Sequence, residues 1–210
     1  MLTTINNLED LDAQQSLLVQ LQQYYDEVRI LLPKLPKDLE IYFDNFCVME
    51  DFGTGGFAYD EKIMTVGFDT NFSDKDRQLK ALRATVFHES YHLAQGYHSK
   101  MGNILPIEEA VYEGAATVFE RDYADGEAPY GEYANQPVEK WITEIEQLDG
   151  SYDRNKWKFW DDAEKVGWKL YKVGTFLADK AVIVSGKSIV ELNNLPAKDI
   201  IQIAKTESAI

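Results

Sequence analysis

Five residues carry the most chemistry in this chain: His88-Glu89-Ser90-Tyr91-His92. On a helix, positions four apart lie on one face, so both imidazoles can reach one divalent cation. Glu89 follows His88 directly, where its carboxylate can take a proton from a water held at the same ion. The chain has three histidines, and two of them stand at this spacing. The competing reading is a chance match on an exposed helix.

A catalytic zinc site usually takes three protein ligands and leaves one position open. Two residues compete for the third place. Glu113 lies 21 residues beyond His92, within Glu109-Ala110-Val111-Tyr112-Glu113-Gly114-Ala115-Ala116. That separation lets a second helix fold back and present a carboxylate, with Gly114 and Ala115 small enough for close approach. Glu109, one turn earlier, is placed to orient a ligand histidine or to be the ligand itself. The bland reading of either glutamate is a solvated surface residue. The other competitor is His98, at the third histidine of the metzincin pattern H-E-x-x-H-x-x-G-x-x-H. Here Gln95 replaces the required glycine, Gly96 comes one residue late, and no methionine follows Met101 to form the metzincin turn.

The elements that must position these residues follow from periodicity. Leu8 to Leu32 reads as a helix, with Leu18, Leu21, Tyr25 and Val28 at three-to-four spacing and Pro33 ending it. Leu39 to Phe43 and Phe46 to Met49 read as strands, Gly53 to Gly56 as a turn, and Phe57 to Phe68 as one or two further strands. A helix capped by Ser73, with Leu79, Leu82, Val86 and Leu93 as its core stripe, carries His88 and His92 near its end. Pro106 opens the next helix, which runs to about Tyr123. Further helices are expected at Pro137 to Leu148, Trp157 to Val184, Ile189 to Leu192 and Ala197 to Ala204. The predicted class is α+β: a small antiparallel or mixed sheet packed on a mostly helical body. Residues 1–38 form an N-terminal helix and residues 39–210 the main domain, compact together.

The bulk properties set the outer limits. A length of 210 residues with 45% hydrophobic content suits a single core. A net charge of −15 excludes nucleic acid, whose phosphates need a basic surface, and anionic membranes. The single cysteine, Cys47, permits no internal disulfide. Residues 1–20 have neither a basic start nor an apolar run, so no signal peptide is expected and the expected location is the cytoplasm. The aromatic group Trp141, Tyr152, Trp157, Phe159, Trp160, Trp168 and Tyr171 reads as a core between helices sooner than as a cleft lining.

With Glu113-Gly114-Ala115-Ala116 downstream of the histidine pair, the chain resembles the gluzincin peptidases, whose third ligand is a glutamate on the following helix. More narrowly it is similar to bacterial predicted Zn-dependent protease domains of the YjaZ type. Those carry E-G-x-A after H-E-x-x-H, then a Tyr-x-x-Gly stretch and a short leucine- and proline-containing tail. Here these are Tyr171-Lys172-Val173-Gly174 and Glu191-Leu192-Asn193-Asn194-Leu195-Pro196. The resemblance spans roughly Phe57 to Ile201 and implies a zincin-like domain. It implies Zn2+ at His88, His92 and Glu113, Glu89 as acid and base, and Tyr171 as an oxyanion stabiliser. A core aromatic is the competing reading of Tyr171. The expected activity is zinc-dependent hydrolysis of a peptide or protein substrate. The alternative is a non-catalytic metal-binding or regulatory domain that retains the site.

Overall fold

The computed structural model of the chain describes residues 1–6, 8, 11–100 and 104–206. Its elements are β1 (Leu2–Thr4), α1 (Leu11–Leu31), β2 (Leu39–Phe43), β3 (Thr54–Ala58), β4 (Ile63–Phe68) and α2 (Lys75–Gln95). There follow α3 (Pro106–Ala124), α4 (Val138–Ile145), α5 (Arg154–Lys158), β5 (Trp160–Asp161), β6 (Val166–Gly167), α6 (Lys169–Ser185), α7 (Ile189–Leu192) and α8 (Ala197–Lys205). The contacts divide the chain into two units, Met1–Ser99 with Glu120–Glu127, and Lys100–Phe119 with Ala128–Ile210. Among the described residues no helix is long and apolar enough to cross a membrane.

The first unit is built on a four-stranded mixed sheet in the order β1-β2-β4-β3. β1, β2 and β4 run parallel, and β3 returns antiparallel beside β4. Leu39, Ile41 and Phe43 of β2 are buried while Glu40 and Tyr42 face out, the alternation a half-covered strand requires. Ile41 pairs with Met64 and Phe43 with Val66, which continue the buried face on β4. Helix α1 supplies Leu17, Leu21, Tyr25 and Val28 to the same core, at three-to-four spacing. Helix α2 adds Leu82, Val86 and Phe87, none more than 1% exposed. Each such side chain contributes about 1.5–3 kcal/mol by leaving water.

Several expectations change here. β1 was not foreseen. Three residues are too few to show a period, and Asn6 extends the strand by exchanging two 2.7 Å hydrogen bonds with the backbone of Phe43. Helix α1 begins at Leu11, and residues 9 and 10 of its expected start lie outside the described residues. The expected strand at Phe46 to Met49 is instead a 3₁₀ turn, Asn45–Cys47, because the Asp44 side chain accepts the Phe46 N–H and curls the chain. Of the expected turn Gly53 to Gly56, only Gly53 has positive φ, at 64°; Thr54, Gly55 and Gly56 belong to β3. Their glycines serve close approach, since a Cβ on Gly55 would lie 1.9 Å from the Cys47 carbonyl oxygen.

In the second unit the expected helix Trp157 to Val184 is broken into α5, a β5–β6 hairpin and α6. Asp161 causes the break: its carboxylate accepts the N–H groups of Ala163 and Glu164, closing a turn that no helix can share. Lys165 and Trp168 then take left-handed backbone conformations, φ 54° and 56°. Lys169 locks the hairpin. It is 1% exposed, pairs with Asp161 at 3.1 Å, and lies 4.5 Å from the Trp157 ring centroid and 5.4 Å from that of Trp141. α6 packs on α4, α5, α7 and α8.

Candidate metal centre

Helix α2 places the histidine pair. Its N-cap is Asp74, which accepts the Arg77 N–H, and not Ser73 as the sequence suggested. Buried Gln78 ties the first turn to the sheet, donating 2.7 Å hydrogen bonds to the carbonyls of Gly53 and Asp69. Gly56 lets the helix settle on β3, since a Cβ there would come within 2.5 Å of Thr85 Cγ2 and 2.9 Å of Glu89 Cγ. The helix ends at Gly96, in the left-handed conformation with φ 62°, whose N–H returns to the carbonyls of His92 and Leu93.

His88 and His92 are both buried and their Nε2 atoms converge to 3.1 Å. His88 Nδ1 meets Glu120 Oε2 at 3.1 Å, and Glu120 is itself 1% exposed. With Nδ1–H donating to that carboxylate, Nε2 keeps its lone pair and turns it toward His92. Ligand atoms of His88, His92 and Glu113 all lie within 4.8 Å of one another. Among the described residues neither His98 nor Glu109 joins this group. Glu89 is buried beside the pair, and its Oε2 accepts the Ala58 N–H of β3 at 2.8 Å.

The donor set fits zinc. Two imidazole nitrogens at tetrahedral zinc distances stand about 3.3 Å apart, and the observed 3.1 Å differs by a few tenths. Two nitrogens and one carboxylate oxygen also match the ligand chemistry of a site that keeps one position open.

The surroundings of Glu113 are not those expected. Glu109 does not stand behind a histidine; Glu120 does. Glu109 Oε2 instead accepts the Tyr152 hydroxyl at 2.8 Å and pairs with Arg154 at 3.3 Å, while its Oε1 pairs with Lys158 at 3.3 Å. Burial, then the Glu109 carboxylate, pushes the Tyr152 hydroxyl well above its ordinary pKa. Lys158 Nζ also bonds Glu113 Oε1 at 2.8 Å and sits 5.8 Å from the centroid of the Tyr171 ring. Tyr171 is half-buried, with its ring 5.3 Å from that of Tyr130. The close contact of Gly114 is with Gly174 of α6. The aromatic group divides: Trp141 and Trp157 are core, while Phe159 and Trp160 are 60% and 53% exposed.

Two residues of this site escaped the sequence reading. Glu120 had a usable signal, since it lies seven residues after Glu113 and therefore on the same helix face. Lys158 had none, because its partners are 45 and 49 residues earlier in the chain.

No curated protein and no solved structure matches the chain. A family model does, over residues 21–202, and it includes both histidines, Glu89, Glu113, Glu120 and the Gly114–Gly174 contact. The chain belongs to the family described as "Predicted Zn-dependent protease (DUF2268)".

Proposed function

We propose that the protein is a zinc metallopeptidase of the gluzincin kind. The observation that carries this reading is the grouping of His88, His92 and Glu113, with Glu89, buried and next to His88 in the chain, as the base. Zinc held by these three side chains would lower the pKa of a coordinated water to about 7 and polarise the scissile carbonyl. Glu89 takes the proton of the attacking water and hands it to the leaving amine. Its Oε2 is anchored by the Ala58 N–H, which orients the carboxyl and leaves Oε1 for the exchange. Glu120 fixes the tautomer and tilt of His88. Tyr171, near Lys158 and Glu113, is the candidate donor to the tetrahedral oxyanion.

The substrate is a peptide or protein segment in extended form. β3 is the terminal strand of its sheet, and the Ala58 N–H at its end points at Glu89 and out of the ladder. An extended chain added along β3 would therefore run past the base.

The test is Glu89→Gln. The variant should hold zinc with wild-type stoichiometry and lose cleavage of a fluorogenic unfolded protein by at least about a hundredfold. A wild-type protein that binds zinc but cleaves nothing supports the alternative, a metal-binding domain without catalysis. Wild-type protein with no stoichiometric zinc overturns both.

A further inference from the structure

We propose that Lys158 is a resident counter-cation for the third metal ligand. It holds Glu113 in the metal-free protein and competes with the metal for it. The proposal rests on the metal centre described above.

Glu109 and Glu113 lie one turn apart on α3, and their side chains are 4% and 6% exposed. Two buried carboxylates at that spacing repel each other and leave uncompensated charge unless a cation reaches them. Lys158 Nζ reaches both, at 2.8 Å to Glu113 and 3.3 Å to Glu109. Arg154 and the Tyr152 hydroxyl occupy the far oxygen of Glu109, so the two carboxylates stand against two cations.

The lysine does not wander into this position. The Asp153 side chain accepts the Lys156 N–H and starts α5. The next residue, Trp157, is 5% exposed and lies against the buried ammonium of Lys169. Lys158 is thus delivered by a short, anchored helix, with Nζ passing over Tyr171.

A divalent ion bound by Glu113 would stand a few ångströms from an ammonium that shares the same carboxylate. Like charges at that range oppose each other strongly in a poorly solvated setting. The ion must draw Glu113 away from Lys158 or share it, and either weakens binding. The opposite reading makes Lys158 a simple buttress whose loss lets Glu113 swing away and weakens the metal. The two readings differ in sign.

The experiment compares zinc affinity, by competition with a chromophoric chelator, and the melting temperature of metal-free and zinc-loaded protein. Lys158→Met should lower the melting temperature of the metal-free protein and tighten zinc binding about tenfold or more. Its zinc-induced gain in melting temperature should exceed that of wild type. Lys158→Gln serves the same purpose should the methionine variant fail to fold. Glu109→Gln should act in the opposite direction, weakening zinc several-fold, because Lys158 is then left to Glu113 alone. A buttress would make all these variants bind zinc more weakly. Wild type that binds zinc while both Lys158 variants bind it no tighter overturns this proposal alone. Wild type that takes up no zinc overturns the metal centre and the proposal with it.

Discussion

Gly114 and Gly174 bring two helix backbones into direct contact. A Cβ on Gly114 would lie 1.9 Å from the carbonyl carbon of Gly174, and one on Gly174 would lie 1.7 Å from the carbonyl oxygen of Ala110. The glycines of Glu113-Gly114 and of Tyr171-Lys172-Val173-Gly174 are therefore one packing device. Glu113 precedes one glycine and Tyr171 lies one turn before the other, and Lys158 reaches both side chains.

Gly174→Ala must push α3 and α6 apart, because the atoms it would meet are backbone and cannot rotate away. Overpacking of this kind costs about 1–3 kcal/mol or more. Urea denaturation should show that loss. A variant as stable as wild type would mean that the two helices do not touch at this point.

Glu120→Ala should weaken zinc about 10–100-fold while leaving a folded protein, because His88 loses the partner that orients it. Glu120→Gln, which can still accept the Nδ1–H, should lose less. Chelator competition reads both. Equal affinities for all three proteins would exclude Glu120 from supporting the site.

Burial, and then the nearby Glu89 carboxylate, pushes the Cys47 thiol up to about 11. The thiolate is the reactive form, so at pH 7.5 roughly one thiol in a few thousand is nucleophilic. Alkylation of the native protein by iodoacetamide should be slow at neutral pH and still rising at pH 10. The unfolded protein should follow the ordinary thiol profile, with its midpoint between pH 8 and 9. A native rate that levels off by pH 9 would contradict this placement.

Asp161 is 1% exposed, and burial alone would push its carboxyl up. Lys169 and the N–H groups of Ala163 and Glu164 outweigh that and hold it below the usual range. A folded pKa below the unfolded one gives stability that is present above about pH 4 and lost as the pH falls further. Lys169→Met leaves Asp161 buried without its main partner and should cost about 3–5 kcal/mol at pH 7. The variant should also lose part of the acid-side slope. Parallel denaturation curves at pH 7 and pH 3.5 measure both effects.

The histidine helix was legible because two signals agreed: a three-to-four apolar stripe and the four-residue spacing of His88 and His92. Glu113 was legible from its separation and from the segment around it. Glu120 shares a helix face with Glu113 by its seven-residue separation, but only the folded chain gives it His88 as a partner. Residues 157–168 read as the first part of one helix running from Trp157 to Val184. Asp161 overrides that pattern through two side-chain-to-backbone hydrogen bonds that hydropathy does not register. Gly55 and Gly56 read as a turn because glycine usually marks one; here the missing side chains make room for a crossing segment and for Glu89. β1 is short, and its pairing with β2 spans 37 residues, a range at which local pattern is silent.

Glu113 and Glu120 sit seven residues apart on one unbroken rod, α3. One carboxylate stands with the imidazoles, and the other steadies the first of them. Their relative phase is set by residue count alone, at about 100° for each residue. Adding or deleting a single residue between them would swing one carboxylate a quarter-turn away while every side chain kept its identity. The stretch between the two glutamates therefore works as a length gauge: its residue types can drift within the limits of packing, but its number of residues cannot.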